Sequence, residues 1–194
     1  DASGGIRRAE EAFPAGQGHL VLGFRTGRDI TSPGFYATVV MNELFGVSPS
    51  AKLFLNVREK LGLCYSCFSS YDIYKGTMLV YCGLENKNRA RAEKEILCQL
   101  DAIRSGDFSE EELSAAKKSL ENAYRQLEDS PAALESFFFG RALAAVRNTP
   151  EACRAAFARV TREEVIRAAE AVCCSAVFFL RGAGGKEDAD DDED

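Results

Sequence analysis

Histidine is nearly absent from this 194-residue chain: His19 stands alone. One histidine cannot complete an HExxH or an inverted HxxEH motif, so a histidine-based zinc centre cannot be built from these residues. No GxSxG elbow occurs either, which speaks against a serine triad. No apolar run approaches the ~20 residues needed to cross a bilayer, and no long apolar core near the N-terminus suggests a secretory signal. No membrane association is therefore expected. A basic excess is lacking too. The net charge is −6, but seven of the last eight residues are carboxylates, so without them the body stands at +1. A near-neutral body does not suit nucleic-acid binding, and an acidic block of this kind is usually a solvated, disordered tail.

The composition, 46% hydrophobic and 28% charged, is that of an ordinary globular protein. The length suits one well-packed domain, and neither a linker nor an internal repeat interrupts it before the tail. The seven cysteines are odd in number and scattered through apolar segments, apart from the vicinal Cys173 and Cys174. This is a reduced inventory in which free thiols pack as small hydrophobes, and it implies a cytoplasmic location.

Residues 1–16, with Gly4, Gly5, Pro14 and Gly16, read as a lead-in containing at most a turn of helix. GHLVLGFR from Gly18 is compact and apolar, a buried strand with Gly23 as a possible bulge. Thr31, Ser32 and Pro33 predict a helix start, and Gly46 its stop; Ser48 and Pro49 predict a second start. In that second helix Leu53, Phe54, Val57 and Leu61 form the apolar stripe, with Lys52 and Arg58 off its centre, and Gly62 ends it.

Beyond Gly62 the period switches to alternation. Tyr65, Cys67, Ser69 and Tyr71 fall on one side, Cys64, Ser66, Phe68 and Ser70 on the other. A short connection at Tyr74, Lys75 and Gly76 leads to Thr77–Leu84, so the two runs should pair as a hairpin. From Asn88 to about Val172 every cue is helical, including capping boxes at Ser109/Glu112 and Thr161/Glu164 and proline-led starts at Pro131 and Pro150. Residues 175–181 form a last strand. The order implies an α+β fold, a mainly antiparallel sheet with helices packed on one face, over residues 17–181. Residues 182–194 form a disordered glycine and acidic tail; its GAGGK lacks the Ser or Thr and the helix of a P-loop.

Cys64-x-x-Cys67 invites a redox or zinc reading. Placed in a strand, however, its thiols would face opposite sides, and no second CxxC is present, so the pair reads as structural and no metal ligands are assigned. Arg58 and Tyr65 remain. On one reading Arg58 caps helix-end carbonyls and Tyr65 is half buried in the sheet. On the other, a guanidinium that keeps its proton and a phenol hydroxyl, on either side of the Gly62 turn, hold a peptide carbonyl or a developing oxyanion.

The stretch KLFLNVREKLGLCYSCFSSYDIYKGTMLV resembles the C-terminal-half domains of the pitrilysin, insulinase and mitochondrial processing peptidase family, and the likeness in element order extends from about Gln17 to Arg181. The pattern LxxxxREKLGLxYS followed by a hairpin carries it, most closely toward bacterial, cytosolic members without the zinc motif. In that family one half bears HxxEH and zinc while the other supplies an arginine and a tyrosine seven residues apart, the spacing of Arg58 and Tyr65. The resemblance implies a processing-peptidase-like domain that binds extended peptide and supports the transition state for zinc held by a homologous half or subunit. With the zinc ligands and glutamate base missing, this chain alone should not cut peptides. An inactive member that binds a peptide or partner is the alternative, and a thiol redox protein built on Cys64 and Cys67 a third possibility.

Overall fold

A computed structural model describes residues 5–183. Five strands form one sheet: β1 (Arg7–Phe13), β2 (Gly18–Arg25), β3 (Ser66–Asp72), β4 (Thr77–Leu84) and β5 (Cys173–Gly182), in the spatial order β1-β5-β2-β4-β3. Only the β1–β5 pairing is parallel; the other three are antiparallel. The expected α+β architecture is present. The lead-in differs, because residues 7–13 are no helical turn but an edge strand, paired from Arg7↔Ala176 to Phe13↔Gly182. Every one of its side chains is exposed, so it has no buried face to mark it in the sequence and is held through the β5 backbone. Gly182 is likewise in β5, not in the tail; residues 184–194 of the expected tail lie outside the described residues.

Alternation in β2 and β4 sends Leu20, Leu22, Phe24, Met78, Val80 and Leu84 to one buried face. The helices cover that face: α1 (Phe35–Asn42), α2 (Arg89–Arg104), α3 (Glu110–Gln126), α4 (Pro131–Leu143), α5 (Pro150–Arg159) and α6 (Arg162–Ala171). They contribute Val40, Met41, Ile96, Leu100, Leu113, Phe157 and Val165 to the common core. Each such side chain is worth ~1.5–3 kcal/mol when fully removed from water. Gly23 marks a bulge as expected: the β2–β5 register shifts between Gly23 and Phe24, and the skipped Ser175 bonds the Gly23 carbonyl at 3.2 Å.

Both capping boxes form, as do the N-caps at Ser130 and Thr149. Three other boundaries shift. Thr31 and Ser32 do not cap a helix; their hydroxyls both donate to Asp29 Oδ1, at 2.7 and 2.9 Å, closing a local turn, and α1 begins only after left-handed Gly34. The helix stops one residue past Gly46, at Val47, because α1 runs on through a π-helical segment, Glu43–Val47, that contains the glycine. After Ser48 the chain turns through Pro49 and Ser50 before a second π-helical segment, Leu53–Lys60. Lys52, at its start, is only 7% exposed and pairs with Glu112 at 3.2 Å, so the lysine read as lying off the apolar stripe is interior.

Candidate functional site

The Leu53–Lys60 segment and the β3–β4 hairpin are joined by a tight reversal. Gly62 takes φ 59, its N–H donates to Arg58 O at 3.0 Å, and Leu63 N–H donates to Val57 O at 3.1 Å. Both bonds span one residue more than in a Schellman closure, as the wider π-type turn before them requires. Tyr65 then enters the sheet by donating its N–H to Gly83 O at 2.8 Å, one residue ahead of β3. The hairpin forms as read, with Cys67 opposite Cys82 and Phe68 opposite Tyr81; Asp72 Oδ1 accepts from Tyr74 N–H and Lys75 N–H in its turn.

Arg58 and Tyr65 are both open to solvent, the arginine side chain 43% and the tyrosine 56% exposed. Tyr65 is therefore not half buried in the sheet. The two have different partners. Arg58 pairs with Glu59 at 3.5 Å and lies over the Phe54 ring at 4.9 Å, whereas the Tyr65 hydroxyl donates to Glu85 Oε1 at 3.3 Å. Glu85 is held below the usual carboxylate range, chiefly by Lys87 and further by Tyr65, so it presents a full negative charge to the phenol. A positive group with five donors and a phenol flanking one turn can serve hydrogen bonds to peptide carbonyls or an oxyanion.

The cysteines depart from the sequence reading. Cys64 precedes β3 instead of lying in it, so strand alternation does not separate it from Cys67. The sulfurs of Cys64, Cys67 and Cys82 all lie within 4.8 Å of one another, with Cys67 5% and Cys82 2% exposed and Cys64 at the half-buried edge. Hydrogen bonding from Cys67, then Cys82, draws the Cys64 thiol well below the ordinary range, and Arg58 contributes in the same direction. Cys67 and Cys82 are pushed up as the donors around that sulfur. The missed residue is Cys82. A hairpin register placing it opposite Cys67 was the one signal that could have revealed it. His19 is an exposed β2 residue, as expected of a strand position.

Fold and geometry together define a sheet-and-helix domain without a histidine metal centre among its described residues. The family model "Peptidase M16 inactive domain" matches residues 4–120, and the chain belongs to that family. Among curated relatives, "Probable inactive metalloprotease YmfF" of Bacillus subtilis is 36% identical over 169 residues, covering 87% of this chain and 40% of its own. A conserved protein from Enterococcus faecalis has a solved structure similar to this one at TM-score 0.89 and 31% identity, over 96% of this chain and 44% of the other. The peptidase M16 inactive domain from Pseudomonas fluorescens shares the fold alone, at TM-score 0.77 and 16% identity over 91% and 44% of the two chains. This chain thus spans less than half the length of these relatives. No described helix is long and apolar enough to cross a membrane.

Proposed function

We propose that this chain is the zinc-free half of an M16-type peptidase assembly, in which Arg58 and Tyr65 bind an extended peptide and support the transition state. Zinc, held by a homologous half or subunit, would polarise the scissile carbonyl and activate water there. The observation that carries this reading is the exposure of both side chains on the two sides of the Gly62 reversal: a packing role would have covered Tyr65, and Arg58 pairs with the Glu59 carboxylate instead of a helix-end carbonyl. The position of β3 at a sheet edge, directly after Tyr65, supports peptide docking by strand addition. Seven free cysteines support a cytoplasmic setting, and the Bacillus and Enterococcus relatives a bacterial one.

In the full assembly, Arg58→Ala and Tyr65→Phe should each lower turnover with zinc content unchanged. Losing one oxyanion donor costs ~3 kcal/mol, on the order of a hundredfold in rate. Unaltered turnover in both variants would remove these residues from the mechanism.

A second reading, a proteolytically inactive subunit that binds a peptide or partner, is favoured by the sheet face away from the helices. There Phe68, Tyr81, Val21 and Phe178 follow one another in register across four strands, with Phe68 and Tyr81 stacked at 5.3 Å. Peptide binding by a reconstituted assembly that never hydrolyses it would select this reading.

A further inference from the structure

We propose that Cys64, Cys67 and Cys82 form a three-sulfur site for a soft d10 cation, Zn(II) or Cu(I), that clamps the Gly62–Tyr65 reversal onto the hairpin. The three sulfurs come from three separately anchored places. Cys67 and Cys82 face each other across β3 and β4 on the core side. Cys64 sits between two backbone bonds, Leu63 N–H to Val57 O and Tyr65 N–H to Gly83 O, that fix its loop. Mutual separations within 4.8 Å require only slight contraction. A metal–sulfur bond of ~2.3 Å puts sulfurs about 3.8–4.0 Å apart in tetrahedral or trigonal geometry.

Donor chemistry selects the ion. Among the described residues no carboxylate or imidazole joins the group, which rejects hard cations such as Mg(II) and Ca(II) and favours thiophilic ones. Three sulfurs satisfy Cu(I); Zn(II) would add one outside ligand on the half-buried Cys64 side. Binding exchanges thiol protons for the metal. Among the described residues no carboxylate or imidazole joins the group to act as a general base, so the site is structural, and it is independent of whether Arg58 and Tyr65 engage a peptide.

The test uses the full chain, reduced, metal-free and kept from oxygen, titrated separately with Zn(II) and with Cu(I) in a competing chelator. One of the ions should bind at one per chain with thiolate-to-metal charge-transfer absorption. It should slow alkylation of the half-buried Cys64 relative to the metal-free protein while the exposed Cys98 and Cys173 still react. C64S and C82S should each weaken binding by about tenfold or more, whereas C98S should not. Cys64 is half-buried in a loop, so C64S reports on the site even if C82S fails to fold. Which ion binds identifies the cation. The proposal fails if neither ion reaches one per chain, if Cys64 is alkylated as fast with the ion as without it, or if C64S binds as the parent does.

Discussion

Gly46→Ala tests how closely the helical layer is laid on the sheet. Gly46 lies in the π-helical segment Glu43–Val47 with an ordinary backbone conformation, so a methyl group there is judged on space alone. A Cβ would stand 2.6 Å from Ser69 Oγ, 2.7 Å from Ser69 N and 2.7 Å from Leu53 Cδ1. One of these is β3 backbone and cannot rotate away. Overpacking of this kind costs about 1–3 kcal/mol, and a fixed backbone neighbour argues for the upper end. Displacing Ser69 also disturbs its buried bond to Asn42 Oδ1, at 2.8 Å, worth ~1 kcal/mol. Better helix propensity returns about 1 kcal/mol.

The net loss is about 3 kcal/mol, which for a domain of this size lowers the melting temperature by about 6–12 °C. Urea unfolding followed by circular dichroism reads it directly. Gly62→Ala is the contrast: φ there is 59 and nothing lies within 4 Å, so only left-handed strain of about 1–2 kcal/mol applies. Adding Ser69→Ala to Gly46→Ala should recover only part of the loss, because the Ser69 backbone nitrogen remains in the way. An unchanged or raised midpoint for Gly46→Ala would refute the packing argument.

Glu43→Gln should stabilise the protein at neutral pH. Burial, only partly offset by a Ser119 hydrogen bond, raises the Glu43 pKa, so the folded state binds a proton more tightly than the unfolded chain. Stability therefore falls as pH climbs from the ordinary carboxylate range through the raised folded value, and the variant's advantage should vanish on acidification. Urea midpoints over about pH 4 to pH 8 check this, and an advantage independent of pH contradicts it. Glu112→Ala removes the reciprocal half of the Ser109 cap and strands the interior Lys52. Breaking a buried pair costs ~3–5 kcal/mol, and partial exposure of Glu112 points to the lower end; Lys52→Met with Glu112→Gln should restore most of it. A loss no larger than the ~1 kcal/mol of a cap would show the pair to be dispensable. Tyr65→Phe frees the Glu85 carboxylate as well as removing the hydroxyl proposed to bind substrate, so turnover and peptide affinity should be measured separately in the assembly.

Much of the fold was legible because its signals are local. Ser109 with Glu112 and Thr161 with Glu164 satisfy orphan N–H groups within three residues, and both boxes form. Tyr74, Lys75 and Gly76 close the hairpin with a left-handed glycine, another short-range demand. The misread boundaries share one cause. Thr31 and Ser32 met a nearer acceptor in Asp29, and Gly46 was kept free of a side chain by Ser69, which lies on a different element. Strand β1 has no buried face, so no periodicity could announce it.

Residue identity and short spacing were enough to determine the sheet-and-helix plan, the lack of a histidine metal centre, and Arg58 and Tyr65 on the two sides of a glycine reversal. Whether those side chains were buried or open, and which thiols met, was decided only by tertiary structure. Exposure is a property of what packs above a residue. The meeting of Cys64, Cys67 and Cys82 is set by hairpin register and by where β3 starts, and a shift of one residue would turn Cys67 or Cys82 to the other face of the sheet.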